Sequence, residues 1–312
     1  MSAAPDGPPP ALTDVDERRL RLLTRCPQKV RHYAIDPHFR RGQALVADRD
    51  ALDTTFVVLK PDAVAGRRIE TALSALAGHG FTVVAAGILR FTPLLTREVW
   101  RFQFNIASRD RADVVDLLLP GSDSLLLVLR DGAGPGAALP AACRLAALKG
   151  PADPGARRAG DLRTLLRGPT ALFNALHTAD EPADVVRELS LFDLVTDRPV
   201  TAAARRTAAV PPDALAALVR QLYGALPAHD LDATASLRRL AGCDHPAVAA
   251  AAARRPFAGW RSLVEPFRGT AVPAGLLWDV LSVATAEIDV NVPGLVPVIP
   301  TVGAALWKGA GR

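Results

Sequence analysis

A lysine that closes an apolar run, a histidine preceded by an asparagine, and a glutamate further along are the residues of this chain best suited to chemistry. Lys60 ends the run Phe56-Val57-Val58-Leu59 and is followed by Pro61-Asp62, so its ammonium group meets whatever lies beyond the sheet edge. Only four of the 37 basic residues are lysines (Lys29, Lys60, Lys149 and Lys308), which makes one at this place conspicuous. His177 stands in the stretch NALHTAD, three residues after Asn174 and eleven before Glu188. A neutral imidazole is a usable nucleophile near pH 7, and a carboxylate on its second nitrogen fixes the tautomer and supports the positive charge that develops on attack. Phosphoryl transfer asks mainly for positive charge positioned around the transferred group. Lys60 and the arginines between residues 144 and 167 can supply it. No GxxxxGK[ST] loop occurs, which argues against a P-loop fold.

The elements that must position these residues follow from hydrophobic period and turn chemistry. Thr54–Lys60, Phe81–Phe91 and 124–131 read as strands, and 172–180 as a short apolar run ending in polar residues. Helical spacing covers 66–78, 94–105, 110–119, 136–148 and 182–191, the last with Asp180 as a candidate N-cap and Pro182 in its first turn. Alternating strand and helix in this order predicts an α/β (α+β) sandwich of ferredoxin-like type. Before it, 14–26 has helical spacing, 27–53 reads as extended or irregular, and the Pro-rich residues 1–12 as disordered. After Pro199, the segments 211–225, 230–242, 245–254, 257–268 and 272–287 all read as helices. The expected division is an arm (1–53), a sandwich domain (54–199) and an all-helical domain (200–312).

VVLKPDAV and NALHTADEPADVVRELSLF resemble the first strand and the catalytic segment of nucleoside diphosphate kinases, a resemblance that spans residues 54 to 193. It implies a ping-pong phosphoryl transfer from ATP or another nucleoside triphosphate through a phosphohistidine at His177, with Glu188 on the second ring nitrogen. Lys60 would sit on the terminal phosphate and Asn174 on the sugar hydroxyl. Arg163 falls where the family keeps an arginine on the phosphates, and Arg144 lies two residues out of register with a second such position. Mg²⁺ would arrive with the nucleotide, so no protein-side metal cage is expected. Trp100 stands for the family's tyrosine near the phosphates, Ala152 for a phosphate-binding threonine, and Thr178-Ala179 for Gly-Ser. No aromatic platform for the base can be placed, Phe102 and Phe104 being the nearby candidates. The simplest acceptor is a nucleoside diphosphate. The lost hydroxyls leave room for a specialised small-molecule acceptor, or for a nucleotide-binding scaffold without turnover.

Composition bounds the rest. A net charge of +5 suits an anionic ligand, but no dense Lys/Arg block interleaved with aromatics favours nucleic acid. Three widely spaced cysteines fit a reducing cytoplasm rather than a disulfide framework or a zinc site. No apolar run is long enough to span a membrane, and prolines interrupt the nearest candidate, 293–307. That tail is expected to pack across the helical domain, with burial at an interface between copies of a homo-oligomer as the alternative. The arm residues HYAIDPHFRRG could reach either a neighbouring subunit or the active site. Arg157, Arg158 and Arg167 read as solvated surface, and Asp62 as a residue that turns the chain after the strand.

Overall fold

A computed structural model describes residues 15–134 and 137–308; the stretch 1–12, expected to be disordered, lies outside the described residues. Four antiparallel strands, β1 (Thr54–Leu59), β2 (Phe81–Leu89), β3 (Ser124–Asp131) and β4 (Leu176–Thr178), form one sheet in the order β2-β3-β1-β4. β1 and β3 are the central pair, with Val57 opposite Leu127, and every residue of β1 is buried. Burial on both faces is why these strands read as unbroken apolar runs rather than as alternating ones. β2 pairs with β3 through an irregularity at Val83/Ala85, and β4 closes the other edge with His177 opposite Val58.

The arm is helical, not extended: α1 (Glu17–Leu23), α2 (Pro27–Tyr33), α3 (Pro37–Leu45) and α4 (Asp48–Asp53) precede the sheet. Pro27 and Pro37 each open a helix at a position whose missing N–H goes unused. Asp36 caps α3 by accepting from the amides of His38 and Phe39. Between the strands lie α5 (Pro61–Ala65), α6 (Ile69–Gly78), α7 (Pro93–Val99), α8 (Arg109–Leu118), α9 (Ala141–Lys149), the short α10 (Leu162–Leu165) and, after β4, α11 (Pro182–Phe192).

All of α11 is buried, under arm helices on one side and against the sheet on the other. α3 reaches it at Gly42, where a side-chain carbon would overlap the Val186 carbonyl. Gly42→Ala is therefore expected to lower stability by about 1–3 kcal/mol through overpacking, read as a fall in the urea midpoint at unchanged slope. The cap of α11 is Glu181 rather than Asp180. Glu181 and Asp184 form a reciprocal capping box, while the Asp180 carboxylate pairs with Lys149 at 2.8 Å.

A helical region follows: α12 (Pro212–Ala225), α13 (Ala233–Ala241), α14 (Pro246–Ala253), α15 (Arg261–Val264) and α16 (Ala274–Glu287), with the short α17 (Ala305–Lys308) at the end of the tail beyond it. It is stitched to the sandwich at several points. Arg67 donates to the carbonyls of Tyr223 and Leu226, His229 N–H donates to Ala65 O at 2.9 Å, and Arg261 pairs with Asp113 at 2.7 Å. One hydrophobic cluster runs from Leu20 in the arm through the sheet to Val302.

The tail leaves this helical region altogether. Val292 N–H donates to Ile106 O, Ile299 N–H to Phe102 O, and Trp307 Nε1–H to the Glu181 carboxylate at 2.8 Å, so residues 289–308 cross the sandwich instead. The expectation that the tail packs across the helices is corrected by these bonds. Within the tail Ile299 and Val302 are buried, whereas Val292, Leu295, Val296, Val298 and Leu306 stay exposed.

Candidate active site

His177 is the middle residue of β4, and Glu188 lies on the second turn of α11. The strand-to-helix connection brings His177 Nε2 to 2.6 Å from Glu188 Oε2. With a carboxylate on Nε2, the ring proton stays on that nitrogen, and Nδ1 keeps the lone pair. The edge of the ring meets Trp100 at 4.9 Å between centroids, and Trp100 in turn stacks on Phe91. The imidazole is thus fixed by a carboxylate at one atom and by an aromatic wall at its side.

Asp62 arranges the segment in front of the histidine. Its Oδ2 accepts from the Ala175 amide at 2.7 Å, and Lys60 N–H donates to Ala175 O at 2.9 Å. Clasped from both sides, Ala175 adopts φ of 68°, a left-handed conformation that costs a non-glycine residue about 1–3 kcal/mol. The kink explains why β4 is only three residues long. It also places Asn174 on the cavity wall, with its Nδ2–H on Ala171 O at 2.7 Å and its buried Oδ1 without a protein partner. Asp62 therefore does more than turn the chain.

Lys60 Nζ donates to Leu172 O at 2.7 Å and lies 3.6 Å from Asp62 Oδ1. Burial lowers its pKa from the ordinary lysine value; Asp62 opposes the shift and Arg163 reinforces it. Arg163, on α10, donates to Gly150 O and Leu176 O and has no carboxylate partner among the described residues. Burial, with Arg157 nearby, lowers it to about 10.

A cavity of about 940 Å³ opens onto these groups, its wall including Lys60, Trp100, Arg163, Asn174, His177 and Glu188. That lies at the upper end of the size range of small-molecule sites. Six of the seven residues expected at a site are thus gathered; Arg144 is not. Its guanidinium grips Asp131 at the far end of β3, donates to His79 O, and lies 4.0 Å over the Phe81 ring. The two-residue slip in register is enough to turn α9 so that this arginine closes a turn instead of facing the cavity.

Other wall residues carried no motif. Lys29, Tyr33, Arg111, Lys149, Asp180 and Asp184 all line the cavity. Lys29, from the arm, pairs with Asp184 at 2.6 Å, and Tyr33 donates to the same carboxylate, so the arm does reach the site. Three of the four lysines of the chain (Lys29, Lys60 and Lys149) line this one cavity. The rarity of lysine was the signal that could have found the other two. Asp180 is held below the ordinary carboxylate value: burial alone would raise it, but Lys149 and Lys29 outweigh burial.

The sandwich has solved counterparts. It is similar to nucleoside diphosphate kinases. That from Encephalitozoon cuniculi is 17% identical, with 45% of this chain and 88% of that chain covered at a TM-score of 0.37. That from Aquifex aeolicus is 23% identical, with 45% and 93% covered at 0.38, and that from Pyrobaculum aerophilum 18%, with 45% and 94% covered at 0.36. No protein-family model and no curated protein matches the sequence. What this chain does has to be read from its own side chains.

Phe102 and Phe104, the nearby candidates for a base platform, both line the cavity. Phe102 lies against His32, Tyr33 and Arg187, and Phe104 carries the guanidinium groups of Arg97 and Arg111 over its ring at 4.4 and 5.5 Å. Among the described residues, no group of three or more His, Cys, Asp or Glu could hold a metal ion, and no helix is long and apolar enough to cross a membrane.

Proposed function

We propose that the protein is a phosphotransferase in which His177 Nδ1 attacks the γ-phosphorus of a nucleoside triphosphate. The N–P bond forms as the bond from phosphorus to the β,γ-bridging oxygen breaks, and the nucleoside diphosphate leaves with that oxygen. An oxygen of the acceptor then attacks the phosphohistidine, and the imidazole leaves with its lone pair restored. The observation that carries this reading is the 2.6 Å contact of His177 Nε2 with Glu188 inside a cavity also lined by Lys60 and Arg163. The carboxylate supports the charge the ring acquires, while the ammonium and guanidinium groups meet the three equatorial oxygens. The donor is taken as its magnesium complex, so the metal belongs to the substrate.

The test is exposure of the full chain to ATP–Mg²⁺ followed by intact-mass and peptide analysis. A gain of one phosphoryl group mapped to His177, stable in base and labile in acid, is expected. Nucleotide binding without any label would overturn the two-step mechanism.

A second reading concerns the acceptor. The tail lies across the 102–108 turn and lends residues 300–304 to the cavity wall, which supports an acceptor other than an ordinary nucleoside diphosphate in this half of the cavity. Discharge of the labelled protein by nucleoside diphosphates, compared with other phosphate and hydroxyl compounds, separates the two.

Lys60 also sets a pH dependence. Its lowered pKa means that its charge, and with it phosphate affinity, is lost on raising the pH before an ordinary lysine, near 10.4, would lose it. Titrating inorganic phosphate binding from neutral to alkaline pH should show that early loss in the native protein and not in Lys60→Gln.

A further inference from the structure

The cations of the cavity fall into two kinds. Lys29 is paired with Asp184 at 2.6 Å and Glu181 at 3.1 Å, Lys149 with Asp180 at 2.8 Å, and Lys60 with Asp62 at 3.6 Å. Among the described residues, Arg163 and Arg111 have no carboxylate within ion-pair distance, and each has a buried Nε without a hydrogen-bond partner. They sit on different parts of the wall. Arg163, on α10, is tied to Leu176 beside the histidine, whereas Arg111, on α8, is tied to the tail through Asn291 Oδ1 at 2.7 Å.

An arginine keeps its proton even where part of it is buried. Arg111 is half-buried, with its Nε out of solvent and unpartnered, so an anionic acceptor there would compensate its charge. Burial presses on both guanidinium groups, lowering the pKa of each. Arg163 is accounted for by the phosphoryl group that His177 handles. Arg111 is not: among the described residues, the only side-chain oxygen its guanidinium meets is a neutral amide. We infer that Arg111, oriented by Asn291 of the tail, is a second anion-recognition point, so that the acceptor carries a phosphate or carboxylate group besides the oxygen that receives the phosphoryl group.

This inference rests on the reading of the cavity as a phosphoryl-transfer site and adds the acceptor's chemical class to it. The tail gains a role in the same step. Asp289 O accepts from Ser108 Oγ, and Ser108 N–H donates to Val290 O, so the tail is fastened at the N-terminus of α8 where Arg111 begins its reach. Asn291 is a positioning residue, acting through Arg111.

The experiment is calorimetric titration of the full chain with three series of linear probes: alkyl phosphates, alkanediol bisphosphates of increasing length, and ω-carboxyalkyl phosphates. A charge-assisted contact at a second point should make a bisphosphate or carboxyalkyl phosphate of the right length bind about tenfold or more tighter than the alkyl phosphate. The length at which affinity peaks measures the span, and the better of the two series names the second anion. In Arg111→Gln the ratio of dianion to monoanion affinity should fall to about one. In Asn291→Ala it should fall part of the way, which serves as the independent variant if the first fails to fold. Should no length favour the dianion, or should the preference survive in Arg111→Gln, the second anion point is wrong and Arg111 only fastens the tail. If alkyl phosphates do not bind and ATP–Mg²⁺ leaves His177 unlabelled, the phosphoryl-transfer reading fails and takes the inference with it, a pattern distinct from the first.

Discussion

His177→Ala is expected to take up no phosphoryl group from ATP–Mg²⁺, and Glu188→Gln to take it up about 10²–10⁴-fold more slowly than the native chain, the range for neutralising a positioned carboxylate that supports a reacting imidazole. The substitution keeps the shape of the side chain and removes only its charge. Glutamine can still offer its carbonyl to the Nε2–H of His177, or its amide to Nε2. The second choice moves the ring proton to Nδ1 and takes the lone pair from the atom that must attack. Both effects act on the same step: the charge that no longer balances the forming imidazolium, and the tautomer that is no longer held. Because Glu188 is almost wholly buried, no solvent replaces the carboxylate. Rapid-quench measurement of label formation at saturating ATP reads this step alone. A Glu188→Gln protein that labels at the native rate would show that the 2.6 Å contact is structural only.

The residues of this step were legible because they are local. Lys60 follows a run that is apolar on every side, which marks a central strand and its end, and the eleven residues from His177 to Glu188 are the length of a strand edge, a cap and two helical turns. Where the partner lies far along the chain, the sequence carried little. Residues 27–53 read as extended or irregular because nothing nearby shows that Asp184 and Arg187, some 150 residues away, hold the helices that Pro27 and Pro37 begin. The tail read as a cover for its neighbouring helices for the same reason. Its hydrogen-bond partners, Phe102, Ile106 and Glu181, lie more than a hundred residues upstream. Arg144 shows the opposite failure. Its type and rough position suited a phosphate, but a helix face rotates about 100° per residue, and Asp131 claimed it instead. Of the wall, what could be read was His177 and its neighbours Lys60, Asn174 and Glu188; the opposite side is built from α8 and the tail, which only the fold brings together.

Arg187→Ala is expected to lower the free energy of unfolding by about 3–5 kcal/mol, the largest stability effect of any single change considered. Arg187 sits beside Glu188 on α11, has 1% of its side chain exposed, and donates to Asp36 Oδ2 at 3.0 Å and to Glu98 O at 2.8 Å. Truncation leaves the Asp36 carboxylate buried. Its remaining partners are two backbone amides of α3 and the half-exposed Arg101 at 3.8 Å. The cost is that of an uncompensated buried charge, not the net worth of the pair, so removing the charge as well should recover much of it. Asp36→Asn keeps the N-cap of α3 while neutralising the carboxylate, and Met at 187 refills most of the volume. The double variant Asp36→Asn/Arg187→Met should therefore unfold at higher urea than Arg187→Ala alone, although it carries one substitution more. Equal or lower stability of the double variant would mean that the arginine acts through its packing between Tyr33 and Phe102 rather than through Asp36. In either case the arm packs over α11, and Glu188 reaches His177 from a helix so held.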